Sequence, residues 1–392
     1  MNSRIDWVAS SCRLLNHIAE EFERTRPFDG LTIGTGIHLE PKTAALLMTL
    51  HRGGARVVGT GNLNSTQTET VDYLRGHGVE VFGDSTRDAA AHDVNLQAVL
   101  DAEPQLLLDN GGDLFARYLE RPYTGLLGGT EETTSGRARL LPLRDRLNVP
   151  VLVINDSPIK QFAENQHAVG QSVLESYMRI TNRSTNGKRV VVLGYGACGR
   201  GVAANFRSAS SLVTVLETDP VLRLKACLDG FDVQSRKGAL SAADVVITVT
   251  GAEDVITVAD LPLLADDVII MNAGHFPREF DAAALIAHPS VGSVAEQTAG
   301  LQTLEIQDGR RIHILAGGHM VNLAGPTPLG NSIESMDIGF AMQARCLEAI
   351  ATDNVGPGSV VVPVPRRIDE LIADAYLDLV TGSRGKALAM PR

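Results

Sequence analysis

Short runs of Val, Ile and Leu alternate along this chain with stretches whose apolar residues recur at helical spacing. Residues 1–27 read as one amphipathic helix, with Val8, Leu14, Leu15, Ile18 and Phe22 on one face. Leu31–Ile33 reads as a strand, followed by a loop over Gly34–His38. A helix over Lys42–Arg52 is opened by Pro41, at a position that tolerates proline. Strand Ala55–Gly59, the polar loop Asn62–Gln67, helix 68–77, strand Glu80–Phe82, helix 93–102 and strand Gln105–Asp109 continue the rhythm. A glycine turn at Gly111-Gly112 and a further apolar run at Val151–Ile154 come next. This alternation makes residues 30–155 an α/β layer on a mostly parallel sheet. Ligands of such sheets sit beyond the carboxyl ends of the strands. The loops there carry His38, Asn62–Gln67, Asp109–Asp113 and Asn155–Lys160, which points to a substrate cleft.

A long helix over Glu164–Thr181 leads into a second domain. There Val190–Leu193 reads as a buried strand, runs into Gly194-Tyr195-Gly196-Ala197-Cys198-Gly199, and is followed by the helical pattern Val202–Phe206. A second apolar run, Ser211–Leu216, ends on Glu217, 18 residues after Gly199. Strand, GxGxxG turn, helix and acid together form a dinucleotide-binding fingerprint. The glycines let backbone approach a pyrophosphate at a helix N-terminus, and the acid takes the ribose 2′-hydroxyl. An acid at 217 favours NAD over NADP; Arg223, close in sequence, falls in the next helix. Val245–Thr250, Val268–Asn272 and Arg311–Leu315 extend the strand series, each followed by a polar or glycine loop. A helix over 333–351 returns to the first domain, and 366–381 is a helical tail segment. The expected organisation is a substrate-binding α/β domain over 1–170, completed by about 328–351. A Rossmann-type NAD domain covers 171–327, and a short C-terminal segment covers 352–392.

Composition narrows the function classes. The chain has 392 residues, 44% hydrophobic and 21% charged, with a net charge of −11. That balance argues against nucleic acid or an anionic membrane as the main partner. No leader-type segment and no membrane-length apolar run is apparent, so a cytoplasmic protein is expected. The four cysteines lack a CxxC pair and the ten histidines lack metal spacing, so neither a disulfide framework nor a metal site is expected.

The ordered motifs HLEPKTA, NSTQ, LLDNGGDL, EETTSG, NDSPIK, GYGACGRG, LETDP, TVTG, NAGHF and HMVNL, spread from about residue 30 to 345, resemble S-adenosylhomocysteine hydrolase. The resemblance implies a homo-oligomer (dimer or tetramer) with a small nucleoside substrate and a tightly bound NAD recycled within each turnover. In that family the cofactor oxidises the nucleoside 3′-hydroxyl, the acidified C4′ proton leaves, and the 5′ substituent is expelled. Water then adds and the ketone is reduced again. Carried onto this chain, Lys160 and Glu164 handle the 3′-hydroxyl, and four-residue spacing lets them share one helical face. Glu132 matches the ribose-binding acid, His38 a general acid/base near C4′ and C5′, and His275 a histidine near the 5′ oxygen. Thr133, Thr134 and Ser135 match cofactor-binding residues from the substrate domain. Asn165, Gly194, Gly196, Ala197, Cys198, Gly199, Glu217, Thr250, Asn272 and Asn322 complete the cofactor set.

The departures from the family pattern fall on the substrate side. Glu40 and Lys42 occupy the adenine-facing positions, with Thr66 and Leu329 as further substrate-side residues. An ammonium donates but cannot accept a hydrogen bond, so Lys42 cannot receive the adenine N6–H. Asn110 stands where the family has an acid beside the leaving group, and Glu164 replaces an aspartate. The chain ends at AMPR, without the family's Lys/Tyr-bearing tail, so weaker cofactor retention is expected. Three readings stay open: a nucleoside dehydratase expelling water, which these departures favour; hydrolysis of S-adenosylhomocysteine; and a catalytically silent NAD-binding paralogue.

Overall fold

The apolar runs of the first part become strands whose residues are almost all buried, as parallel strands covered on both faces must be. They are β1 (Thr32–Ile37), β2 (Arg56–Gly61), β3 (Glu80–Val81), β4 (Leu106–Asp109), β5 (Gly128–Glu131) and β6 (Val151–Val153). A computed structural model describes residues 4–274 and 277–382. Its strands run in the order β6-β5-β4-β1-β2-β3, all parallel, and the two-residue strand Val362–Pro363 adds to the β6 edge. The strand order reverses between β1 and β4, so the crevice at the carboxyl ends of these two neighbours is the natural ligand position. His38 follows β1 and Asn110 follows β4.

The second sheet contains β7 (Arg189–Leu193), β8 (Leu212–Leu216), β9 (Val245–Thr248), β10 (Val268–Asn272), β11 (Val291–Thr298), β12 (Leu301–Ile306) and β13 (Arg311–Leu315). Its order is β11-β12-β13-β10-β9-β7-β8, parallel from β13 to β8 and antiparallel through β11, β12 and β13. Successive residues alternate between two cores. Val190, Val192, Val245 and Ile247 pack on one face, while Val191, Leu193, Val246 and Ile270 pack on the other. Here the reversal lies between β7 and β9, at Gly194 and Thr250.

The chain divides into two compact units: up to Gln161 together with Ile333 onward, and Phe162–Ser332. The boundary thus precedes residue 170, and the helix Arg366–Thr381 belongs to the first unit.

Several elements differ from the sequence reading. The N-terminal helix is two, Arg4–Ser11 and Arg13–Thr25, broken at Cys12. Asp337, on the helix Ile333–Ala351, accepts Leu14 N–H at 2.8 Å and Leu15 N–H at 2.9 Å, supplying the second helix with a cap from far along the chain. Gly34 and Gly36 lie within β1 rather than a loop. A Cβ at Gly34 would sit 2.6 Å from Pro104 Cγ, so the glycine marks close packing. β5 is a strand that its glycines conceal, since a Cβ at Gly129 would lie 2.0 Å from Leu107 O. The β11–β12 hairpin had no counterpart in the sequence pattern, because β11 is largely exposed and lacks an apolar face. The segment expected as a helix from Glu164 begins at Lys160 as a π-helix to Ala168, then continues as an α-helix over Val169–Thr181. His275 and the chain end after 382 lie outside the described residues.

Candidate active site

In the first unit, four of the expected catalytic residues join one hydrogen-bonded chain. Lys160 Nζ donates to Glu132 Oε1 at 3.0 Å, and Asn110 Nδ2 donates to Glu132 Oε2 at 2.8 Å. Asn62 Nδ2 donates to Asn110 Oδ1 at 3.0 Å and lies 3.5 Å from His38 Nε2. His38 Nδ1 meets Ser65 Oγ at 2.5 Å. Ser65 Oγ also donates to Asn62 O at 3.3 Å, so one hydroxyl braces both the imidazole and the loop.

Burial alone would raise the Glu132 carboxyl. The Lys160 ammonium and its hydrogen bond, with Asn110 and His38, hold it below the usual carboxylate range. Glu132 is therefore an anion at neutral pH, paired with a buried cation. This arrangement can bind a ribose diol and hold Lys160 ready to exchange a proton with a hydroxyl.

Secondary structure aims these groups. Lys160 opens the π-helix, and Ser157 Oγ caps that start, accepting Ile159 N–H at 3.1 Å and Lys160 N–H at 3.4 Å. Ser157 in turn donates to Asp369 Oδ1 at 2.6 Å, on the C-terminal helix. Glu164 is buried, one turn further along the π-helix in the second unit.

At the start of the helix Pro41–Arg52, Lys42 Nζ pairs with Oε2 of the N-cap Glu40 at 2.8 Å, both side chains being almost wholly buried. Thr66 donates to Asn62 O at 2.9 Å and so braces the Asn62–Ser65 loop. Leu329 is half-exposed, in the second unit. Thr133 caps the helix Thr134–Leu140 through Gly136 N–H at 2.8 Å, with Ser135 Oγ 3.0 Å from its hydroxyl.

In the second unit the glycine turn has the form a pyrophosphate needs. Gly194 has φ +104°, and a Cβ at Gly199 would lie 2.1 Å from Gly194 O, so both positions require glycine. A Cβ at Gly196 would meet no protein atom within 4 Å, which leaves open space at the N-terminus of the helix Ala197–Ser208, where Cys198 is the second residue. Glu217 Oε2 accepts Tyr195 N–H at 2.8 Å, and Oε1 accepts Thr218 and Asp219 N–H. The acid thus ties the turn to the end of β8 while retaining carboxylate lone pairs for a hydroxyl.

Asn272 accepts from Thr248 and Gly274 and donates to the Gly274 and Gly318 carbonyls. It knots the strand ends beside Thr250. Asn322 donates to Ser172 Oγ at 3.0 Å, yet its Oδ1 is buried without a hydrogen-bond partner. An orphaned buried acceptor implies a donor supplied from outside the chain, which an amide-bearing cofactor would satisfy. Asn165 lies in the π-helix. Glycine turn, open helix start and orphaned amide together fit a dinucleotide.

The sequence motifs assign no individual role to Asp109, Glu131 or Glu279. Glu279 is fully buried and accepts Thr250 N–H at 2.8 Å and Gly251 N–H at 2.7 Å, holding the loop after β9. Asp109 and Glu131 fall within the motifs LLDNGGDL and EETTSG, whereas Glu279 belongs to none of the motifs.

Comparison with known proteins follows the same division. Residues 4–121 match the family model "S-adenosyl-L-homocysteine hydrolase", and 165–328 match "S-adenosyl-L-homocysteine hydrolase, NAD binding domain". The chain is 40% identical over 381 residues to an adenosylhomocysteinase of Thermotoga maritima, covering 96% of this chain and 93% of the relative. It is 38% identical to an S-inosyl-L-homocysteine hydrolase of Methanopyrus kandleri, covering 95% and 89%. It is 37% identical to an adenosylhomocysteinase of Pyrococcus abyssi, covering 94% and 88%.

Proposed function

Because the chain belongs to the S-adenosyl-L-homocysteine hydrolase family, with NAD as its cofactor, we propose that it hydrolyses a purine-nucleosyl homocysteine to the free nucleoside and homocysteine. The observation that carries this reading is the buried Lys160–Glu132 pair, linked through Asn110 and Asn62 to His38. NAD, when bound, supplies a reversible oxidation at C3′. Glu132 holds the ribose hydroxyls, and Lys160, once its ammonium has given up a proton to become the neutral amine, takes the 3′-hydroxyl proton and later returns it. His38 accepts the C4′ proton on its imidazole and gives a proton to the departing sulfur. Gly194, Gly196 and Gly199 receive the pyrophosphate, Glu217 the ribose and Asn322 the carboxamide.

The dehydratase reading loses its lead to hydrolysis. Relatives across nearly the whole chain carry hydrolase names, and the tie from Asn110 to Glu132 gives that amide a role that does not depend on the leaving group. Mass spectrometry of products from a small nucleoside panel is the test. Homocysteine release from S-adenosyl- or S-inosylhomocysteine is expected; dehydration of hydroxylated nucleosides with no homocysteine release would overturn the assignment.

The Glu40–Lys42 pair favours a second reading of the base. It offers one acceptor and one donor side by side. Adenine matches it with N6–H toward Glu40 and N1 toward Lys42; a 6-oxopurine matches it with N1–H toward Glu40 and O6 toward Lys42. We therefore propose that the 6-oxo nucleoside is also a substrate. A kcat/KM for S-inosylhomocysteine within about tenfold of the adenosyl value, a free-energy difference under about 1.4 kcal/mol, would agree; complete discrimination would not.

A further inference from the structure

Asp109 and Glu131 end neighbouring strands and are register partners across the β4–β5 ladder. Both are fully buried, and Asp109 meets the polar chain formed by His38, Asn62, Asn110, Glu132 and Lys160 through the Asn110 backbone N–H. Each gathers backbone N–H groups from the loop that carries a site residue. Asp109 accepts Asn110 N–H at 2.9 Å and Phe115 N–H at 3.0 Å. Glu131 accepts Gly111 N–H at 3.1 Å, Gly112 N–H at 2.9 Å, Thr133 N–H at 2.7 Å and Thr133 Oγ–H at 2.7 Å. Glu131 thus staples the loop after β4 to the loop after β5. The chain makes room for that staple: a Cβ at Gly136 would lie 2.1 Å from the Glu131 carboxyl carbon.

We infer that Asp109 and Glu131 are positioning residues that act as one unit, fixing Asn110 and Glu132 so that Glu132 meets Lys160. The inference rests on the reading of Glu132 and Lys160 as the ribose-handling pair. Two carboxylates buried on adjacent strands cannot both be charged without strong repulsion, so the pair keeps one proton at neutral pH. Burial pushes Asp109 up to about 7, its backbone hydrogen bonds opposing and Asp113 adding to the rise; burial and the Asp109 charge lift Glu131 well above the usual carboxylate range. Asp113, ion-paired with Arg139, is a further charge acting on Asp109, and the Glu132 carboxylate follows Glu131 directly in the chain. From the helix Ile333–Ala351 the neutral Gln343 accepts the Thr130 hydroxyl of β5.

Two readouts test this with the full-length holoprotein. Infrared difference spectra of wild type against Asp109→Asn and Glu131→Gln at neutral pH should show a protonated carboxyl band that either substitution removes. That arm does not depend on which substrate the enzyme uses. Nucleoside-driven cofactor reduction should slow at least tenfold in both variants; in wild type it should also fall at alkaline pH, as the pair loses its proton, and that fall should be absent in Asp109→Asn. A band that survives both substitutions, or a loss of rate with an unchanged pH profile, would overturn the inference. Should either neutral variant fail to fold, Glu131→Asp carries the same test, because it keeps the acid but withdraws it by one methylene. It should retain the band and lose rate tenfold or more; wild-type rate would count against the staple.

Discussion

Glu132 depends on its neighbours for its charge, and Lys160 depends on Glu132 for company in a buried setting. Removing one member of a buried pair costs roughly 3–5 kcal/mol, because the other charge stays unpaired. Lys160→Met is therefore predicted to lose about that much stability in denaturant unfolding and at least ~100-fold in nucleoside-driven cofactor reduction. The double variant Lys160→Met/Glu132→Gln should regain most of the stability and none of the activity. Activity returning with stability would contradict the role given to Lys160. The sign with pH follows from the carboxyl: Glu132 is held below its ordinary range, so its contribution is present above that range and is lost as pH falls through the folded value. At this scale the sequence named Lys160, Glu132, Asn110 and His38 through their motifs. It could not show that Asn62 links them, because a loop asparagine carries no periodic signal and its partners lie 24 and 48 residues away.

The elements that aim these groups begin and end on side chains from distant parts of the chain. Ser157 caps the π-helix at Lys160, and Asp369 holds Ser157 from 212 residues away. Ser157→Ala removes a cap and leaves a buried carboxyl without that donor, so a loss of about 1–3 kcal/mol is predicted, with kcat falling more than KM rises. Unchanged melting and unchanged kcat would show the cap to be dispensable. The glycine turn gives a sharper contrast. Gly199→Ala must displace Gly194 backbone and should lower thermal stability, whereas Gly196→Ala meets no protein atom and should melt like wild type without cofactor. The same substitution fills the helix N-terminus, so cofactor content measured after purification should fall at least tenfold. Full cofactor content in Gly196→Ala would place the pyrophosphate elsewhere. Strands β7, β9, β10 and β13 were legible because continuous apolar runs bounded by glycine have few other meanings. β1 and β5 were obscured where glycines serve close packing instead of turns, and the Cys12 break was hidden because its cap comes from Asp337.

Across the whole molecule, an all-parallel sheet and a mixed sheet reverse their strand order at β1/β4 and β7/β9, and such reversals are where sheets of this kind leave a crevice. Among the described residues no helix is long and apolar enough to cross a membrane. Stability in the second unit draws on a cluster at the start of β10, where Asp267 pairs with Arg183 at 2.6 Å, Arg311 at 2.9 Å and His313 at 3.0 Å. The hydrogen bond from Arg183 leads in holding Asp267 down to about 2. Its contribution is therefore complete above the ordinary carboxylate range and lost as pH falls toward 2. The group is more than a third exposed, so screening limits that contribution to about 1 kcal/mol. Arg183→Ala should cost about that much at neutral pH and nothing near pH 2, as read by thermal melts.

Family and cofactor were legible in the sequence because many short motifs stand in order, while the leaving group was not, because Glu40, Lys42 and Asn110 depart from the pattern. The central claim is that the cofactor is used twice within one turnover at C3′. Its most direct test is the fate of deuterium placed at C3′ of S-adenosylhomocysteine. The label is predicted to remain at C3′ of the released adenosine, with homocysteine formed in equal amount. Deuterium lost from the nucleoside, or recovered in soluble reduced cofactor, would contradict the account.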